Sequence, residues 1–203
     1  MTIDITVVRA GIARLTGAME REFDALNAAD GALGDGDLGV TMTRGMRLVT
    51  EGAADLPADL GQALLRCAQA FTKTSGSSYG TLLATGLMAV AKTVKGRETV
   101  EPAEVSALVA MARDAMAQRG KADVGGKTVL DSLDAVAQAT AGLSNGTEVA
   151  AAARGAVRDA LDAFRDQPAT VGRARIFAEK SRGMDDPGML AMAGIIEALA
   201  GGD

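Results

Sequence analysis

The sequence predicts an all-α fold, about eight helices packed as an antiparallel bundle within one domain over residues 1–203. Three observations lead there. Apolar residues recur at steps of three and four along most of the chain, the period of a helix with one buried face. No segment alternates apolar and polar residues as a half-buried strand does. The periodic segments are separated by short Gly-, Pro-, Asp- or Ser-bearing turns, which make consecutive helices antiparallel neighbours. No internal repeat or interdomain linker interrupts the pattern.

Taken in order, Ile5, Val8, Ile12, Leu15, Met19, Phe23 and Leu26 form one stripe on a long first helix. A loop from Asp30 follows, and a second helix begins near Leu38 or Gly39 and runs to about Gly52. Asp55-Leu56-Pro57 starts a third, with proline in its first turn and a stripe of Leu60, Leu64, Cys67 or Ala68, and Phe71. The polar run Thr72 to Gly80 opens a fourth, carrying Leu82, Leu83, Leu87, Val90 and Val94. Glu101-Pro102 starts a fifth, which ends at Arg119-Gly120. After a glycine-bearing loop, the sixth carries Leu130, Leu133, Ala137 and Thr140. Ser144-Asn145-Gly146 breaks the chain before the seventh, which holds Val149, Ala153, Val157, Leu161 and Phe164. A short helical piece spans Val171 to Ser181, and Asp186-Pro187 caps the last helix, with Met189, Met192, Ile196 and Leu199.

Composition excludes several classes of function. Hydrophobic residues make up 48% of the chain and aromatics 2%, so the core is built from Ala, Leu, Val, Ile and Met. A net charge of −5, with no basic cluster and few rings for base stacking, argues against nucleic acid. No apolar stretch is long enough to span a membrane, and the first ten residues lack a signal-peptide core. A cytoplasmic location is expected. Cys67 is the lone cysteine and reads as a small buried hydrophobe. With no histidine, neither Ser-His-Asp catalysis nor a His-ligated zinc exists within the chain. Lys121 and Lys127 could form a Schiff base in principle, but nothing in the sequence suggests the apolar pocket that would lower their pKa.

The densest chemistry lies in Asp30-Gly31-Ala32-Leu33-Gly34-Asp35-Gly36-Asp37-Leu38-Gly39, read as a loop because Asp and Gly disfavour helices and strands. Close carboxylates repel, and a hard cation with oxygen ligands, Mg²⁺ beside phosphates, would offset that repulsion. A lone Asp-Gly-Asp fits a solvated turn equally well. Three carboxylates between hydrophobic helices favour the metal. Gly34-x-Gly36-x-x-Gly39 fits the dinucleotide pattern, but a helix and not a strand precedes it. Asp35-x-Asp37-x-Gly39 misses the calcium-loop pattern, since Met46 stands where a bidentate glutamate belongs. Gly120 to Thr128 looks like a phosphate loop, yet Lys121 occupies the place of the leading Walker glycine.

In an up-and-down bundle alternate loops share an end. That places Asp30 to Asp37, Thr72 to Ser78, Gly120 to Lys127 and Gln167 to Arg173 at one rim, with Asp185 to Gly188 folding back to join them. Taken alone, the hydroxyl-rich loop reads as an ordinary helix cap. The convergence of all four suggests a nucleotide-phosphate site with metal.

These residues resemble the nucleotide-binding L-type subunit of dihydroxyacetone kinases. The resemblance rests on Asp30 with Gly34-Asp35-Gly36-Asp37, Thr74-Ser75-Gly76, Arg119-Gly120-Lys121-Ala122, Gly126-Lys127-Thr128, Gly172-Arg173-Ala174 and Asp186-Pro187-Gly188, in order over nearly the whole chain. It implies an eight-helix barrel holding ADP or ATP at one rim. It implies that Asp30, Asp35 and Asp37 bind two Mg²⁺ bridging the phosphates. The backbone of Leu38, Gly39, Val40 and Thr41, with Thr74 and Ser75, would cradle phosphates. Gly120 and Val129 would border the base or ribose, Arg173 would pair with phosphate as the catalytic cation, and Asp186 and Gly188 would close over the nucleotide.

The resemblance also implies a separate K-type subunit that holds the ketose through its own histidine. The phosphoryl donor is then ATP, or a phosphotransfer protein that recharges bound ADP. The chain departs from the family at Leu38, where histidine is usual, at Thr41, commonly asparagine, at Thr72-Lys73, usually two glycines, and at Met184, often histidine. These departures bear on the donor and on which short ketose is used, dihydroxyacetone or a tetrulose. Two other readings stand beside this one: the related nucleotide domain of fatty-acid kinases, and a non-enzymatic ADP-binding regulatory module.

Overall fold

The computed structural model describes residues 2–74 and 77–201. Among them are nine α-helices: α1 (Ile5–Arg21), α2 (Phe23–Leu33), α3 (Leu38–Glu51), α4 (Leu60–Thr74), α5 (Ser78–Thr93), α6 (Val105–Gly120), α7 (Val129–Ala139), α8 (Gly146–Arg165) and α9 (Pro187–Ala200). The described residues contain no strand, only an isolated bridge between Ile3 and Val100. None of their helices is long and apolar enough to cross a membrane.

Helix starts follow their capping residues. Asp4 accepts from the amides of Thr6 and Val7, and Asn145 from those of Thr147 and Glu148. Thr128 and Asp131 form a reciprocal capping box at α7, and Asp186 caps α9 with Pro187 at its first position. Each cap satisfies amides that a helix cannot satisfy itself.

From α3 onward each helix packs on the next, α9 returns to α1, and α1 packs on α3, so eight helices close a ring. Met19, Leu26, Met42, Ala68, Phe71, Met116, Leu130 and Met192 fill its interior. Burying side chains of this size stabilises by roughly 1.5–3 kcal/mol each, and the unbranched methionines fill the irregular gaps. A second apolar patch, with Val136, Ala153, Val157 and Ala193, joins α7, α8 and α9.

The expected eight helices become nine because the first is bent at Glu22. The helical hydrogen bonds continue through the bend, Glu22 to Ala18 and Leu26 to Glu22, so the apolar period is undisturbed and gives no sign of it. Three boundaries also differ from expectation. Helix α2 runs on to Leu33, which makes Asp30 part of its last turn and shortens the acidic loop to Gly34–Asp37. Helix α4 begins at Leu60, so Pro57 lies in the stretch between it and a short 3₁₀ turn, Ala53–Asp55, instead of opening the helix. The piece from Val171 to Ser181 is two 3₁₀ turns, Arg173–Ile176 and Ala178–Ser181.

Candidate functional site

Four interhelical loops meet at one end of the ring, and between them lies a small cavity of about 140 Å³. Its walls include Asp30, Asp35, Asp37 and Leu38 from the end of α2, the loop after it and the start of α3, and Ser77, Ser78 and Tyr79 from the start of α5. Thr128 and Val129 come from the start of α7, and Val171 to Ala174 and Asp186 to Gly188 from the segment between α8 and α9.

The acidic cluster is assembled by backbone geometry. Gly36 has φ 78°, a left-handed turn that glycine adopts without steric cost. Gly34 lies so close to Asp30 that a β-carbon there would collide with the Asp30 carboxylate. That turn brings the Asp37 amide within 2.9 Å of Asp30 Oδ2. Asp37 stands at the N-cap of α3, yet its side chain makes no capping hydrogen bond. Its carboxylate is turned instead to the cluster, where one oxygen each from Asp30, Asp35 and Asp37 lies within 4.8 Å of the others. Among the described residues no other Asp, Glu or Cys group meets that condition.

The local charges act in opposite directions on neighbouring carboxyls. Burial and the adjacent Asp35 raise the pKa of Asp30, against the pull of the Asp37 amide. Arg173 forms an ion pair with Asp35 and lowers its pKa. The guanidinium is raised in turn, first by its hydrogen bond to Asp35 and further by Asp37 and Asp30. Oxygen donors in this number suit a hard divalent cation. At the far wall Asp186 is 9% exposed and accepts from the Met189 amide at 2.9 Å. Burial pushes its pKa up to about 6.

Of the residues singled out from sequence, Asp30, Asp35, Asp37, Leu38, Val129, Arg173, Asp186 and Gly188 line this cavity. Gly39, Val40 and Thr41 lie behind Leu38 in the first turn of α3. The Val40 amide is taken by Asn27 Oδ1 at 3.2 Å, and the Thr41 amide by the Asp37 carbonyl at 2.8 Å. Gly120 is exposed at the end of α6 beside Leu82, outside the lining. Thr74 is the last residue of α4, and Ser75 lies outside the described residues. The departures are ordinary in their surroundings: Thr72 spends its hydroxyl on the Ala68 carbonyl, and Leu38 is buried at 3% exposure.

Two residues differ from their reading in the sequence. Lys127, for which the sequence suggests no pocket that would lower its pKa, is 1% exposed, and burial lowers its pKa. Its ammonium is held by backbone carbonyls and does not line the cavity. Asn27 was missed altogether, although it sits one turn before Asp30 on the same helix face, the spacing that aims both at the start of α3.

A family model described as the DAK2 domain matches residues 32–201. The chain is 28% identical over 201 residues to the PTS-dependent dihydroxyacetone kinase ADP-binding subunit DhaL of Lactococcus lactis, covering 98% of this chain and 97% of that one. It is 34% identical over 180 residues to human triokinase/FMN cyclase, covering 86% of this chain but only 31% of that protein. The dihydroxyacetone kinase of C. freundii, solved with AMP-PNP and Mg²⁺, superposes with TM-score 0.78 at 22% identity, over 100% of this chain and 35% of that one. That likeness carries the fold. With the family model matching most of its length, the chain belongs to the DAK2 domain family.

Proposed function

We propose that this chain is the nucleotide- and magnesium-binding subunit of a kinase acting on dihydroxyacetone or a related short-chain ketose. The observation that carries the reading is the three-carboxylate cluster facing Arg173 at the rim where four loops meet. The whole-length likeness to a DhaL subunit supports it. The reading treats residues 1–203 as one nucleotide-binding domain in the cytoplasm.

In this reading Asp30, Asp35 and Asp37 hold two Mg²⁺, which neutralise phosphate charge when bound. Arg173 is already drawn to negative charge at the cluster and donates charge-assisted hydrogen bonds to the transferring phosphoryl group. The first turn of α3 (Leu38, Gly39, Val40, Thr41) receives the phosphates at a helix N-terminus, with Thr74 and Ser75 as further partners. Val129 and Gly120 flank the base or ribose, and Asp186 and Gly188 close over the nucleotide. The Val40 amide is held by Asn27 Oδ1 and the Thr41 amide by the Asp37 carbonyl, so the other donors carry more of that contact.

The chain lacks a histidine to capture a carbonyl substrate. Asp30, Asp35 and Asp37 are committed to metal and the buried Asp186 to the N-terminus of α9, so no general base is free to take the hydroxyl proton. The ketose half of the active site therefore comes from a K-type subunit docking over the rim. The donor is ATP, or a phosphotransfer protein that recharges bound ADP. The assay is purified chain with Mg-ATP, or ADP and a phosphotransfer system, against dihydroxyacetone and erythrulose, with and without a K-type subunit. Turnover only with the K-type subunit is expected. Turnover by this chain alone, free of host kinase, would overturn the two-subunit reading.

A further inference from the structure

The segment between α8 and α9 leaves the ring at Arg165, carries Arg173 out to the acidic cluster and returns by Asp186. Its neck is closed by one side chain from outside it. Lys127 Nζ donates to the carbonyls of Arg165 at 2.8 Å, Gln167 at 2.9 Å and Ser181 at 2.8 Å. An ammonium has three protons, and all three are used. Two of these carbonyls lie where the segment departs and one lies where it comes back, so the lysine joins its two ends. To reach them Lys127 takes a left-handed backbone, φ 60°, uncommon for a residue with a side chain.

The segment is otherwise tied in the same place. Ser181 Oγ accepts from the Ala169 amide at 2.7 Å and donates to the Ala178 carbonyl at 2.6 Å. The Gly183 amide donates to Arg165 O at 2.9 Å, and the Thr170 amide to Gly126 O at 3.2 Å. Ala169, Ala174 and Phe177 then pack on Leu33 of α2, two residues before Asp35. Arg173 stands between that apolar foot and the acidic cluster.

We propose that Lys127 is a positioning residue that closes the 165–183 segment and thereby holds Arg173 over the carboxylate cluster. Its role rests on the nucleotide reading only through what Arg173 does there. Lys127 acts as a buried clasp: a charge whose hydrogen bonds are all made to backbone. The phosphate-loop look of Gly126-Lys127-Thr128 is thus a resemblance of sequence, with the lysine serving the neighbouring segment.

The test substitutes Lys127→Met, which keeps the chain length and removes the ammonium, and Lys127→Gln, which keeps a polar head but lacks the third proton. Hydrogen exchange on the unliganded protein reads the clasp. The Ala169 and Gly183 amides should exchange roughly tenfold faster or more in a folded variant, with the core of α4 and α9 unchanged. Titration with Mg-ADP reads the positioning. Affinity should fall about tenfold in the Arg173-containing protein and not at all further in an Arg173→Ala background. Unchanged exchange at Ala169 and Gly183, or losses that add in full to those of Arg173→Ala, would overturn the proposal. If Lys127→Met does not fold, Lys127→Gln carries both measurements, with faster exchange at the same two amides and weaker Mg-ADP binding expected. If the unmodified chain does not bind Mg-ADP, the nucleotide reading fails, and the exchange measurement alone decides the clasp.

Discussion

At the end of the bundle away from the cavity, Arg9 donates to the carbonyls of Ala53, Ala54 and Leu56, and Arg66 to that of Asp55. Arg97 grips both oxygens of Glu104, and the Ile3–Val100 bridge ties the N-terminal segment to the α5–α6 loop. Every one of these charged groups meets a partner that complements it. At the rim the arrangement differs. Three carboxylates converge, the N-cap aspartate of α3 declines to cap its helix, and one arginine faces all three. Asp186 is buried with its pKa raised. One end is built to stay closed, whereas the other holds like charges together at a cost that a cation would offset.

If that contrast is right, Asp37→Asn should lower Mg-ADP affinity by roughly a hundredfold, about 3 kcal/mol, without destabilising the unliganded fold. Titration calorimetry and thermal melting check the two halves. A loss of stability equal to the loss of binding would make Asp37 structural.

Asp186→Asn is the next largest effect. A carboxyl whose folded pKa is about 6, against 3.8 ordinarily, binds its proton more tightly in the native state. Stability should therefore fall as pH rises from about 4 to about 6 and stay low above that. Asparagine caps a helix equally well and has no charge to bury. The variant should be more stable than the parent at pH 8, by on the order of 2–3 kcal/mol, with a flatter profile between pH 4 and 6. Denaturant melts across that range read it directly.

Arg9→Ala perturbs the opposite end. It removes partly exposed hydrogen bonds to three carbonyls and should cost about 1 kcal/mol of stability. Mg-ADP affinity should not move. A change in affinity would mean that the two ends are coupled.

The helices were legible because a 3.6-residue stripe survives in sequence wherever a helix buries one face, as in Leu60, Leu64 and Phe71 of α4 or Val149, Ala153 and Val157 of α8. The bend at Glu22 was not, since it leaves both the period and the hydrogen bonds intact. Asp30 read as loop because its neighbours are glycine and aspartate, whose propensities tertiary packing overrode. The residues around the cavity were largely legible because carboxylate and glycine clusters have few structural uses. The burial of Lys127 was not legible, because its partners are carbonyls 38 to 54 residues away, which leave no mark in composition. Asn27 could have been found from its three-residue spacing to Asp30.

The chemistry of the rim turns on whether the Asp30, Asp35 and Asp37 cluster binds metal for a nucleotide. Calorimetric titration of the chain with ADP, once in excess Mg²⁺ and once with the divalent ions chelated, tests it most directly. Binding with Mg²⁺ should weaken at least roughly tenfold without it, about 1.4 kcal/mol, and the difference should disappear in Asp37→Asn. Equal affinity in the two titrations, or a magnesium dependence that survives the substitution, would contradict it.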